Sequence, residues 1–161
     1  MAQIKYIMTT ELVTAKPSES VSAVVQRMKE KRLGAILVAD GDELKGVFSE
    51  RDLLTRVVSE GLDANTTNVM NVATTDLITV NEDEHVKVCA ELIDKHNFRH
   101  LPIVNGEGKL AGVISSRDFF KYVTKELEGV IDKVRSKEGV TEAFDPYEFF
   151  GGGGFGLPRG S

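Results

Sequence analysis

Apolar positions along the chain follow two rhythms, and each rhythm occurs twice. Val21, Val24, Val25 and Met28 fall at i, i+3, i+4 and i+7, as do Val86, Cys89, Ala90 and Ile93. Each set predicts an amphipathic helix with one buried stripe. Ser20 and Asp83 stand where N-terminal caps for those helices belong. After each helix come two short apolar runs. Ala35 to Ala39 and Leu44 to Phe48 are split by Asp40-Gly41-Asp42, and Leu101 to Val104 and Leu110 to Ile114 by Asn105-Gly106-Glu107-Gly108. Such runs around a polar, glycine-bearing break predict β-hairpins. A second helix is predicted from Ser49, carrying Leu53, Leu54, Val57 and Val58, and another from Ser115, carrying Phe119, Phe120, Val123 and Leu127.

The two halves are copies. Gly46-Val47-Phe48-Ser49-Glu50-Arg51-Asp52 returns as Gly112-Val113-Ile114-Ser115-Ser116-Arg117-Asp118. Leu12-Val13-Thr14 matches Leu77-Ile78-Thr79, Val21 matches Val86, and Ala35-Ile36-Leu37-Val38 matches His100-Leu101-Pro102-Ile103, with Met8 and Met70 opening the two units. Residues 4–60 and 69–128 therefore form two strand-helix-strand-strand-helix (βαββα) units joined by the polar stretch Asp63 to Asn68, an α/β fold made twice. A unit of this size is marginal alone, so the pair is expected to share one core.

Composition narrows the function. A net charge of −5 and aromatic residues at 7%, with no Trp, argue against a general nucleic-acid binder or a single-strand stacking platform. The longest apolar runs are far shorter than the ~20 residues of a membrane helix, and the first residues lack the basic start and apolar block of an export signal. The single cysteine, Cys89, lies on an apolar stripe as a core thiol and fits a cytoplasmic protein.

Ser49-x-x-Asp52 and Ser115-x-x-Asp118 read as capping boxes at helix starts. That reading leaves Gly46 and Gly112 unexplained, because glycine inside a strand weakens it unless another backbone or a ligand comes close. It also leaves Arg51 and Arg117 without a role. A helix N-terminus with a hydroxyl and an arginine is an anion site, and a carboxylate beside it can accept two hydrogen bonds from a ribose diol. Capping and nucleotide binding both stay open on the motif alone.

With these motifs, and with Arg99-His100-Leu101-Pro102-Ile103-Val104 before the second hairpin, the chain resembles the tandem cystathionine beta-synthase (CBS) domains that form a Bateman module, two repeats packed about a pseudo-two-fold axis. The resemblance implies binding of an adenosine-containing ligand, AMP, ADP, ATP or S-adenosylmethionine, in clefts between the repeats. It implies that Asp52 and Asp118 hold ribose, that Ser49, Ser115, Ser116 and Arg117 contact phosphate and hydroxyls, and that Thr14, Thr79 and the first hairpin residues of the opposite repeat line the adenine pocket. A homodimer is expected from apolar helix faces that one pair of repeats cannot cover, and the resemblance points the same way.

The clefts are expected to be unequal. Arg99-His100 stands where the first repeat has Gly34-Ala35, and Glu50 takes the place of Ser116, so the Asp118 cleft is expected to be the tighter phosphate site.

Enzyme-like patterns fail. Gly106-x-Gly108-x-x-Ala111 leads into a strand instead of the helix a dinucleotide fingerprint needs, Gly108-Lys109 lacks the rest of a P-loop, and His96 and His100 straddle a helix end instead of sharing a face. Glu82-Asp83-Glu84 suits a helix N-terminus, and no nucleophile, base and orienting group occur together. Neither a catalytic set nor a metal site is expected. Residues 129–161 lie outside the resemblance. Val130, Ile131 and Val134 are expected to prolong the last helix. Phe144 to Phe150 with the following glycines reads as a disordered tail, and Leu157-Pro158-Arg159-Gly160-Ser161 as a protease-site scar of recombinant expression. The expectation is a non-catalytic sensor that signals ligand occupancy to a partner. The alternatives are a regulatory piece or relative of a larger enzyme or transporter, and a ligand-free dimerisation scaffold.

Overall fold

The computed structural model describes residues 2–138. Its elements run β1 (Thr14–Ala15), α1 (Val21–Lys31), β2 (Ala35–Asp40), β3 (Glu43–Ser49), α2 (Glu50–Asp52, continued by π-helical turns over Leu53–Val58), β4 (Val80–Asn81), α3 (Lys87–His96), β5 (His100–Val104), β6 (Leu110–Ser115) and α4 (Ser116–Glu138). The chain divides into two units, Met1–Tyr122 and Val123–Ser161. Both βαββα repeats up to the start of α4 lie in the first. Of the second, the described part is the rest of α4, where Val130, Ile131 and Val134 do prolong the helix with their side chains exposed. The Phe144 to Phe150 stretch, the glycines and the terminal Leu157 to Ser161 lie outside the described residues.

The predicted duplication is present strand for strand. One sheet has the order β1-β2-β3 and the other β4-β5-β6. In each, the short first strand runs parallel to the second and the hairpin is antiparallel, with a register shift at equivalent places, between Val38 and Ala39 and between Ile103 and Val104. Gly108 takes φ +77 in the second hairpin's turn, so the Gly106-x-Gly108 pattern marks a turn. The α1 stripe is buried as its spacing predicts, with Val21 and Val24 fully inside against Phe48. Ser20 caps α1 by accepting from the Ala23 amide at 3.2 Å. Asp83 does not cap α3. That helix begins at Lys87 without a side-chain cap, and Asp83 instead accepts from Lys5 Nζ at 2.8 Å, because the N-terminal segment of the chain docks there.

That docking is the device that joins the repeats. The segment leading into each repeat packs on the other one. The 3-10 turn Ile4–Tyr6 hangs on the second repeat through Ile4 N to Glu84 O and Lys5 N to Glu82 O, both 2.9 Å, while the turn Val69–Asn71 hangs on the first through Val69 N to Glu19 O at 2.9 Å. Each leader then crosses the far strand of the other repeat's hairpin: Thr9 pairs with Val113 and Thr74 with Val47, each by two backbone hydrogen bonds.

The crossings account for the two strand glycines. A Cβ on Gly46 would lie 3.0 Å from Thr74 O and 3.2 Å from Ala73 Cβ, and one on Gly112 would lie 2.6 Å from Met8 Sδ and 3.0 Å from Thr9 O. Of the two causes the sequence left open, a backbone is what comes close. Gly46 and Gly112 are thus placed by packing of the leaders, which explains both glycines without a ligand. Ala73, at Gly46, is thus the counterpart of Met8, at Gly112, and the pairing of Met8 with Met70 is corrected by three positions.

Candidate functional site

A cleft of about 570 Å³ opens between the repeats beside the N-terminus of α4. Its polar wall comes from the second repeat: Arg99 and His100 at the start of β5, Ser115 at the end of β6, and Ser116, Arg117, Asp118 and Lys121 on the first turns of α4. These positions meet because β5 and β6 are paired, with His100 opposite Ser115 and the Ser116 amide donating to Arg99 O at 2.9 Å. The facing wall comes from the first repeat. Leu12 and Val13, before β1, and Ala35 to Leu37 of β2 make it apolar, and Thr9 and Glu11 add polar groups at its edge.

Ser115 organises the charged end. Its hydroxyl accepts from the Asp118 amide at 3.0 Å and donates to Asp118 Oδ2 at 2.6 Å. The Asp118 side chain remains 45% exposed, and among the described residues Oδ1 has only Lys121 Nζ, 3.7 Å away. A carboxylate oriented on one oxygen and open on the other can accept from a vicinal diol. Beside it, Arg99, Arg117 and Lys121 gather positive charge around the start of α4, in a chain that is acidic overall, and an anion fits there. Burial holds the His100 imidazole below its usual pKa of 6.5, helped by the Arg99 charge and opposed by Asp118 and Glu50. Among the described residues, no group of His, Cys, Asp and Glu is placed to hold a metal.

Of the expected site residues, Asp118, Arg117, Ser116, Ser115, Arg99 and His100 converge here, together with the first hairpin residues of the opposite repeat. The strand-end threonines do not. Thr14 follows Val13 but is not among the residues that line the cleft, and its carbonyl accepts from Arg27 at 2.8 Å; Thr79 is exposed just before β4, which begins at Val80. Ser49, Arg51 and Asp52 stand at the equivalent helix start of the first repeat, outside this cleft, with Asp52 buried. Sequence reasoning missed Thr9, Glu11 and Lys121. Lys121 could have been found as the helical i+3 neighbour of Asp118. Thr9 and Glu11 depend on the leader crossing between repeats, whose one sequence signal is Gly112.

Comparison with known proteins matches the CBS domain twice, over residues 4–59 and 69–125. The CBS domain-containing protein YhcV of Bacillus subtilis is 31% identical over 118 residues, covering 73% of this chain and 83% of that protein. Among solved structures, a CBS domain protein from Pyrobaculum aerophilum complexed with AMP is 30% identical, with TM-score 0.66, covering 73% of this chain and 89% of that one. The CBSX2 protein in complex with AMP is 26% identical, also with TM-score 0.66, covering 76% and 96%.

Proposed function

The chain belongs to the CBS domain family, as a regulatory module of two CBS repeats, and on that premise we propose that it is a non-catalytic sensor of a phosphorylated adenosine ligand. The observation that carries this reading is the convergence in one cleft of an open carboxylate, a cationic helix start and apolar walls from the other repeat. Asp118 takes the ribose hydroxyls, Arg99, Arg117 and Ser116 take phosphate, and the base lies between Val13 and Ile36. The cationic wall favours AMP, ADP or ATP over S-adenosylmethionine, whose sulfonium it would repel. AMP in two related structures supports the same class.

Signalling follows from the two-sided cleft. A ligand touching both repeats biases their arrangement by as much as it prefers one arrangement over another, and a partner that reads the arrangement reads occupancy. The module acts as a cytoplasmic homodimer in this reading. Leu54 and Val58, 63% and 62% exposed on the helix after Asp52, are apolar surface for a second copy to cover.

Thermal melting with a panel of AMP, ADP, ATP, adenosine and S-adenosylmethionine tests the reading. A ligand at 100 times its Kd adds about 2.7 kcal/mol, a rise of roughly 5–10 °C for a chain of this length. No rise with any of them at millimolar concentration would leave the ligand-free scaffold.

A further inference from the structure

The two aspartates that close the repeated motif are equivalent in sequence and opposite in environment. Asp52 is 7% exposed, and both its oxygens are in use. Oδ2 accepts from the Ser49 amide and the Ser49 hydroxyl, each at 2.9 Å. Oδ1 accepts from Thr74 Oγ1 at 3.3 Å and lies 3.5 Å from Arg56 Nε. Thr74 belongs to the leader of the second repeat, and Arg56 also donates to the carbonyl of its neighbour Ala73 at 3.1 Å. One carboxylate and one guanidinium of the first repeat thus grip the strand that enters the second.

Among the described residues, nothing equivalent forms at Asp118. Thr9 holds the place of Thr74 and makes the same backbone pairing, yet among the described residues the Asp118 carboxylate meets only Ser115 and Lys121. Tyr122 stands where Arg56 stands in the first repeat, and its hydroxyl accepts from the Ala2 amide at 3.4 Å. A ribose diol needs two acceptor positions. Asp118 can supply them by releasing an exposed lysine, whereas Asp52 would have to strip Thr74 and Arg56 and leave both without their carboxylate. Glu50, in the place of Ser116, would in addition face a phosphate with a negative charge.

We infer that Asp52 is a clasp between the repeats and that the module takes one nucleotide per chain, at Asp118. This rests on the nucleotide reading of the Asp118 cleft. Calorimetric titration of the full chain with AMP reads the count. It should give one AMP per chain, and Asp118→Ala should weaken that one site roughly 30- to 150-fold, with no second site left at wild-type affinity. Melting reads the clasp without any ligand. Thr74→Val and Arg56→Gln should each lower the Tm of the free protein by about 5 °C. Both should leave AMP affinity within about twofold, as distant sites without shared partners do. Two AMP per chain, a site surviving Asp118→Ala at wild-type affinity, or wild-type melting of both clasp variants would overturn the inference. An absence of AMP binding would overturn the nucleotide reading and the count with it, while melting would still judge the clasp.

Discussion

Replacing Asp118 by alanine removes the acceptor on which the ribose assignment depends. Two hydroxyls bonding to a carboxylate contribute about 1.5–3 kcal/mol each. The lower figure applies here, because the side chain is 45% exposed and solvent weakens each bond. The ligand must also displace Lys121 from Oδ1, which costs up to about 1 kcal/mol for an exposed pair at this distance. The net loss is then about 2–3 kcal/mol, or roughly 30- to 150-fold in Kd. The fold should tolerate the change, since the Ser115 hydroxyl still caps the backbone amide of residue 118. Titrating wild type and variant with AMP and separately with adenosine makes the test specific. Both ligands carry the ribose, so both should lose the same factor. A loss below about threefold for either, or a larger loss from Asp52→Ala than from Asp118→Ala, would refute the ribose assignment.

Arg99→Gln should weaken AMP by about tenfold, one charge-assisted hydrogen bond at an exposed position, and leave adenosine unchanged; an equal loss for both would place Arg99 away from the phosphate. The His100 imidazole is held below 6.5 in the folded chain, so above that pH it is neutral in both states and costs nothing. As pH falls through 6.5 the unfolded chain takes the proton first, and stability drops until the folded value is passed; His100→Gln should flatten this acid arm of the melting profile. A bound phosphate favours the imidazolium against Arg99, so below pH 6.5 the wild type should take up more protons on binding AMP than His100→Gln does, measured as a difference in the buffer dependence of the binding heat; equal proton linkage would refute this. Gly112→Ala should lower Tm by roughly 3–10 °C, because the added carbon meets Met8 and the Thr9 carbonyl, whereas Gly106→Ala, with open space around it, should not. Sedimentation at tens of micromolar should give a dimer, and a strict monomer would refute the reading of Leu54 and Val58 as covered surface.

Periodicity made most of the fold legible. The α1 and α3 stripes, both hairpins and the duplication follow from positions that are polar or apolar for purely local reasons, and Val21, Val24 and Cys89 are buried as their spacing requires. Burial also pushes the Cys89 thiol up to about 11, as befits a core thiol. What periodicity could not carry was the exchange of leaders. Ile4–Tyr6 and Val69–Asn71 are single turns with no repeating pattern, and their partners lie in the other repeat. Asp83 looks like a cap in the sequence for the same reason: a carboxylate before a helix has a local use, and the Lys5 ammonium that takes it is far away along the chain.

The site shows where local reasoning ends. Ser49-x-x-Asp52 and Ser115-x-x-Asp118 share residue types and spacing, and in both the serine hydroxyl accepts from the aspartate's backbone amide. From that common start the two carboxylates diverge because of what surrounds them. Arg56, four residues on, can turn back to Asp52, and Tyr122 at the matching place has no charge to offer. Thr74 completes the burial from the opposite repeat, while the same crossing at Thr9 leaves Asp118 open to the cleft. The substitutions that were legible, Glu50 for Ser116 and Gly34-Ala35 for Arg99-His100, point in the same direction, since they withhold positive charge from the first site and supply it to the second. Charge and clasp are independent features, one read along the chain and the other across it. Their agreement is the physical reason to assign ligand recognition to one aspartate and cohesion of the repeats to the other.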